Sequence, residues 1–137
     1  VYGAYDGASG RFRYVVAGHP APILVPAAGP PVPLAGRGLP IGMFEESIYQ
    51  EETVTLEPGD RLYFYTDGVI EATDAAQVEL GSARLMAELD RVRVLPLKSG
   101  LEAVAETVCD WSGGGLEDDV SLLAIERVVA RSGVAVA

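Results

Sequence analysis

Short apolar runs punctuated by turn residues fill the first two-thirds of the chain, and beyond residue 80 the apolar spacing becomes helical. Phe12, Tyr14 and Val16 alternate with Arg11 and Arg13, which predicts a strand with one buried face. The run Val1–Tyr5 reads as its hairpin partner across the turn signal DGASG. Pro20 and Pro22 then interrupt pairing until Ile23–Val25 resumes it, and AAGPP turns the chain again. Residues 35–47 (AGRGLPIGMFEES) read as an irregular, glycine-rich connection. Ile48–Leu56 reads as a polar strand, hairpinned through the proline-led turn EPGD to Arg61–Thr66. That last run, RLYFYT, is apolar and aromatic on both faces, so it is placed at the centre of a sheet.

Leu85, Leu89 and Val92 fall at helical spacing, with Ser82 as the expected N-cap. Ser99 and Glu102 form a capping-box pattern ahead of Leu101, Val104, Ala105 and Val108, which share one face. Gly113–Gly115 should end that second helix. Val120–Val129 is nearly continuously apolar and is expected as a buried strand. Strands, two helices and a closing strand define an α+β domain with helices on one sheet face.

The 137 residues, 49% hydrophobic and 22% charged, suit one domain at most. The opening Val1 already lies in a strand-like run, so residues 1–137 read as one truncated domain with an N-terminal portion missing. Ten basic against twenty acidic residues give a net charge of −10, which disfavours nucleic acids and anionic membranes as partners. No apolar run approaches the roughly 18 residues of a membrane span, so membrane insertion is not expected of this segment and the cytoplasm is the default location.

Cys109 is the single cysteine, which excludes an intrachain disulfide and a thiolate cluster. It is followed by DWSGGG without a basic residue, so it does not fit the phosphate loop of a cysteine phosphatase. It is assigned instead to the apolar side of its helix. One histidine cannot build a His-rich metal site. His19 is read as a hydrogen-bonded structural residue, or alternatively as one that orients a loop or meets substrate.

Two acidic positions remain. Asp67-Gly68 ends the aromatic strand, and Asp118-Asp119 lies between a glycine-rich loop and the last strand. A turn and a solvated loop explain them adequately. The alternative is a pair of carboxylates held at rigid strand ends, which suits Mg²⁺ or Mn²⁺. Adjacent residues on a strand point to opposite sides, so only one of Asp118 and Asp119 should face such a site.

Taken in order, RFRYVVAGHPAPILV, LPIGMFEE, LEPGDRLYFYTDGVIEATD and GLEDDVSLLAIER resemble the phosphatases related to SpoIIE and RsbU. These form a branch of the PPM (PP2C-like) serine/threonine phosphatases. The resemblance covers nearly the whole chain. It implies an α/β/β/α sandwich of two antiparallel sheets flanked by helices, with two Mn²⁺ or Mg²⁺ ions held in the complete domain. Asp67 and Asp118 fall on metal ligands, Gly68 on a backbone-carbonyl ligand, and Asp119 and His19 on possible supporting positions. The implied function is hydrolysis of phosphoserine or phosphothreonine by metal-activated water. The implied substrate is a phosphorylated STAS-type anti-sigma-factor antagonist in bacterial sigma-factor regulation, and an upstream sensor domain is implied in the parent chain.

The chain departs from the family in two places. The family's bridging Gly-Asp-x-x-Asp motif is missing, since the only Gly-Asp here, Gly59-Asp60, belongs to a turn. The usual GELFG reads QVELG at residues 77–81. The fragment alone is therefore expected to be inactive. It is also expected to self-associate through strand edges and an apolar face that includes Val15, Leu62 and Phe64. A non-catalytic PP2C-like interaction module, and an unrelated acidic β-rich binding domain, are the competing readings.

Overall fold

The computed structural model describes residues 1–116 and 118–128. In chain order these form β1 (Tyr2–Asp6), β2 (Arg11–Val15), β3 (Ile23–Val25), β4 (Val32–Pro33), β5 (Glu52–Thr55) and β6 (Arg61–Tyr65). Three helices follow, α1 (Asp67–Ile70), α2 (Gly81–Val92) and α3 (Leu97–Trp111), and then β7 (Leu122–Glu126). All strand pairing is antiparallel. One sheet has the order β1-β2-β5 and the other β4-β3-β6-β7. The DGASG turn is fixed by Asp6, which accepts from the Ser9 hydroxyl at 2.6 Å and the Ala8 N–H at 3.0 Å. Those donors hold its carboxyl below the usual range.

Alternation along β2 decides how the sheets meet. Phe12, Tyr14 and Val16 point inward onto Leu56 and Leu62, and all five are buried. Phe12 stacks on Tyr14 at 5.1 Å and meets Phe64 edge-on at 5.7 Å. The opposite face of the second sheet, with Ile23, Val25, Tyr63 and Tyr65, lies under Leu85, Leu89 and Val92 of α2 and Val104 and Val108 of α3. Strand β6 therefore serves two cores, which is why RLYFY is apolar on both faces. Its Arg61 is buried but paired, bonding Glu126 of β7 at 2.7 Å and the Leu95 carbonyl between the helices at 2.7 Å.

The layers of the described residues run helix, sheet, sheet. They match the expected sandwich with helices over one sheet. Among these residues no helix is long and apolar enough to cross a membrane.

Several expectations are corrected. The EPGD turn does not close a hairpin, because β5 and β6 lie in different sheets. It is a corner, held by the buried Asp60 carboxylate, which accepts from the N–H groups of Glu57 (2.7 Å) and Ala27 (2.8 Å). The strand expected from Ile48 begins only at Glu52, and Ile48 itself is 93% exposed. Neither serine caps its helix: Leu80 and Pro96 take the N-cap positions, and neither makes a side-chain cap bond. Proline suits a helix start because the first N–H groups have no helical partner.

Strand β7 is an edge rather than a buried strand, with Leu123 60% exposed. The expected continuation through Val129 runs outside the described residues. Cys109 is exposed, as is Ala105. Val104 and Val108 occupy the core seam, and each following residue is turned about 100° away from it. Leu62 is fully buried, with Phe64 and Val15 half-buried, so these three do not form an exposed apolar face.

Candidate metal centre

Strand β6 delivers its C-terminal end beside the segment that leads into β7. The last ladder pair is Tyr65↔Leu122. Beyond it Thr66 stays extended (φ −75°, ψ 158°), and the chain then coils into α1 with Asp67 in its first turn. An acid there is favoured by the unpaired N–H groups of the helix start. Asp67 is exposed, and its carboxylate accepts from the Gly68 N–H at 3.2 Å.

Gly68 lies where the two segments pass closely. A Cβ at that position would stand 2.8 Å from the Asp119 carbonyl oxygen, 3.2 Å from its carbon and 3.4 Å from the Asp118 Cβ. Only glycine permits that approach. Asp118 is exposed and bonds back to the Asp119 N–H at 2.7 Å. Asp119 offers its main-chain carbonyl to the Thr66 hydroxyl at 2.8 Å.

A cavity of about 140 Å³ opens at this junction, lined by Gly68, Glu71, Ala72, Thr73 and Asp118. The fold thus sets Gly68 against Asp118, with Asp67 adjoining through the chain. His19 lies apart from that cavity. It is half-buried, its Nδ1 sits 3.0 Å from the Pro20 carbonyl, and it borders a separate depression with Thr66, Ser121 and Leu122.

Two residues of the junction were not singled out from sequence. Glu71 is four positions after Asp67, a helical spacing that could have flagged it. Thr66 carried no signal beyond closing the strand.

Thr73, on the cavity wall, opens the loop Thr73–Glu79, which is closed by a bridge between those two residues. Asp74 accepts from the N–H groups of Ala76 (2.8 Å) and Val78 (2.9 Å). Trp111 donates from Nε1 to the Val78 carbonyl at 3.0 Å, and the Arg84 guanidinium lies 4.6 Å from the Trp111 ring. Gln77 sits at φ 60°, a left-handed conformation, at the position where the GELFG pattern has its first glycine.

In kind, the exposed carboxylates of this junction suit a hard cation. In number they fall short. Among the described residues no three Asp, Glu, His or Cys side chains converge on one point.

Two antiparallel sheets packed face to face, helices over one of them and acids at adjoining strand ends define the PP2C-like phosphatase architecture. The profile of the family described as Stage II sporulation protein E (SpoIIE) matches residues 1–128, and the chain belongs to that family. Among solved structures, the RsbU and RsbW domains of a Mycobacterium tuberculosis protein superpose with a TM-score of 0.76 at 30% identity, covering 92% of this chain and 35% of that one. The phosphatase domain of SpoIIE from Bacillus subtilis, from a manganese-presoaked crystal, superposes with a TM-score of 0.74 at 15% identity, covering 93% of this chain and 55% of that one. The phosphoserine phosphatase RsbP of Bacillus subtilis is 37% identical over 73 residues, 53% of this chain and 18% of RsbP. The chain spans about a fifth of the length of the curated relatives it matches.

Proposed function

We propose that the protein carrying this chain is a Mn²⁺- or Mg²⁺-dependent phosphoserine/phosphothreonine phosphatase. Its substrate would be a phosphorylated STAS-type anti-sigma-factor antagonist, in cytoplasmic control of a bacterial sigma factor. The observation that carries the reading is the contact of Gly68 with Asp118-Asp119, inside a chain matched by the SpoIIE profile over residues 1–128. The name of RsbP and the RsbU and RsbW domains of the mycobacterial structure support the substrate class.

Asp67, Asp118 and the Gly68 carbonyl would hold the cation side of the site. When bound, the ions would activate water and neutralise phosphoryl oxygens. That neutralisation matters here, because a chain of net charge −10 repels a phosphoryl group unless cations intervene. Glu71 and Thr73 border the cavity and would shape what enters it.

The test is Asp67→Asn in the full-length protein. Loss of outer-sphere partners alone costs about 10–100-fold at metal sites, so loss of a ligand should lower Mn²⁺-dependent phosphoserine hydrolysis by on the order of 100-fold. The exposed position predicts little change in melting temperature. Wild-type turnover at limiting Mn²⁺ would contradict the assignment.

A second reading, a non-catalytic module that keeps the fold for binding, draws on the shortage of converging ligands among the described residues. It predicts no Mn²⁺ binding by the full-length protein alongside retained binding of the antagonist.

A further inference from the structure

We infer that the Thr66 hydroxyl is a positioning group that locks the two halves of the metal centre together. The inference rests on the proposed ligand roles of Asp67 and Asp118. At Thr66 the chain passes from the β6–β7 ladder into α1. To continue the β6–β7 ladder, its carbonyl would have to accept from the facing strand. To start α1, the same carbonyl must accept from the helix, and it does so, from the Val69 N–H at 3.1 Å.

The hydroxyl takes the place of that carbonyl toward the facing strand. The Thr66 N–H still donates to the Ser121 carbonyl at 3.1 Å. The Ser121 N–H, which would otherwise have lost its partner, donates to Thr66 Oγ1 at 2.9 Å. The same Oγ1 donates its own proton to the Asp119 carbonyl at 2.8 Å. One hydroxyl can both donate and accept in this way. Thr66 holds the N-cap position of α1 yet makes no side-chain cap bond, because its hydroxyl is committed across the gap. Three hydrogen bonds from one residue thus span from the residue before Asp67 to the residues following Asp118. The main chain that carries Asp67 cannot move relative to the segment that follows Asp118 without straining these bonds.

The experiment uses the full-length protein and compares Thr66→Val, which keeps the shape and removes the hydroxyl, with Thr66→Ser, which keeps the hydroxyl. Asp67→Asn serves as the control for the site itself. Manganese affinity is read by calorimetry or by the spin-resonance signal of free Mn²⁺. Thr66→Val should weaken Mn²⁺ binding about tenfold or more, in the range of residues that orient metal ligands, and Thr66→Ser should restore it.

If Asp67→Asn weakens binding but Thr66→Val binds as the wild type does, the positioning role is overturned and the site stands. If Asp67→Asn leaves binding unchanged, the site reading fails and takes this inference with it. A tenfold loss in Thr66→Ser overturns the hydroxyl as the cause. Should Thr66→Val fail to fold, amide hydrogen exchange of the metal-free wild type decides. A Ser121 N–H protected like the β7 ladder supports the clamp, and one that exchanges like open loop overturns it.

Discussion

Gly68→Ala probes the close approach from its other side. Gly68 lies in α1 without a positive φ, so alanine fits its backbone and should favour the helix by about 0.5–1 kcal/mol. Sterically the site cannot take it. The new methyl would sit 2.8 Å from the Asp119 carbonyl oxygen, and that oxygen belongs to rigid main chain rather than to a flexible side-chain tip. Reaching ordinary contact requires the segments to separate by roughly 0.6 Å, and overpacking of this kind costs about 1–3 kcal/mol. The net expectation is a loss of about 0–2.5 kcal/mol.

The functional loss should be larger in proportion. A metal site tolerates about 0.5 Å of misplacement, so the separation should lower Mn²⁺ affinity by about tenfold. Thermal melting and Mn²⁺ titration of the full-length variant provide both numbers. A Gly68→Ala protein that melts at or above the wild-type temperature and binds Mn²⁺ equally well would show that the two segments are not in contact.

Two further predictions concern the scaffold. Asp60→Ala leaves the N–H groups of Glu57 and Ala27 without their acceptor in a buried corner, which should cost about 2–4 kcal/mol and be read as a fall in urea midpoint with unchanged slope; an unchanged midpoint would mean water replaces the carboxylate. Gln77→Gly relieves a left-handed residue, a strain of about 1–2 kcal/mol partly offset by glycine's greater chain entropy, so the variant should be more stable by about 0.5–1 kcal/mol in the same assay, and a destabilised variant would refute the strain.

The strands were legible where a single face alternates. Phe12, Tyr14 and Val16 gave β2 and its buried side directly, and the two-faced apolar run Arg61–Tyr65 gave the central strand. Legibility failed where the partner of a segment could not be read. The polar run after Ile48 and the strand at Arg61 are close in sequence and joined by a tight turn, which is also what a hairpin looks like. Only the buried Asp60, bonded to Ala27 in the turn after β3, shows the turn to be a corner between sheets. Helix starts failed for a related reason. Ser82 and Ser99 have the right chemistry, but buried Leu80 and the proline at 96 place the first turn earlier. Cys109 failed by one residue of helical phase, since Val108 holds the core position beside it.

The acids of the candidate centre were visible as residue types, but what relates them was not. Asp67 and Asp118 are 51 positions apart, and each alone reads as an ordinary turn or loop acid. Their common location follows from β6 and β7 being paired, with Tyr65 facing Leu122, so that whatever follows one strand meets whatever precedes the other. Pairing alone would let the two ends splay once the ladder stops. Gly68 removes the bulk that would hold them apart, and Thr66 supplies bonds that hold them together. The junction is therefore specified by Thr66 and Gly68 together: the hydroxyl binds the opposite strand, the glycine lets the main chains approach, and Asp67 is carried between them.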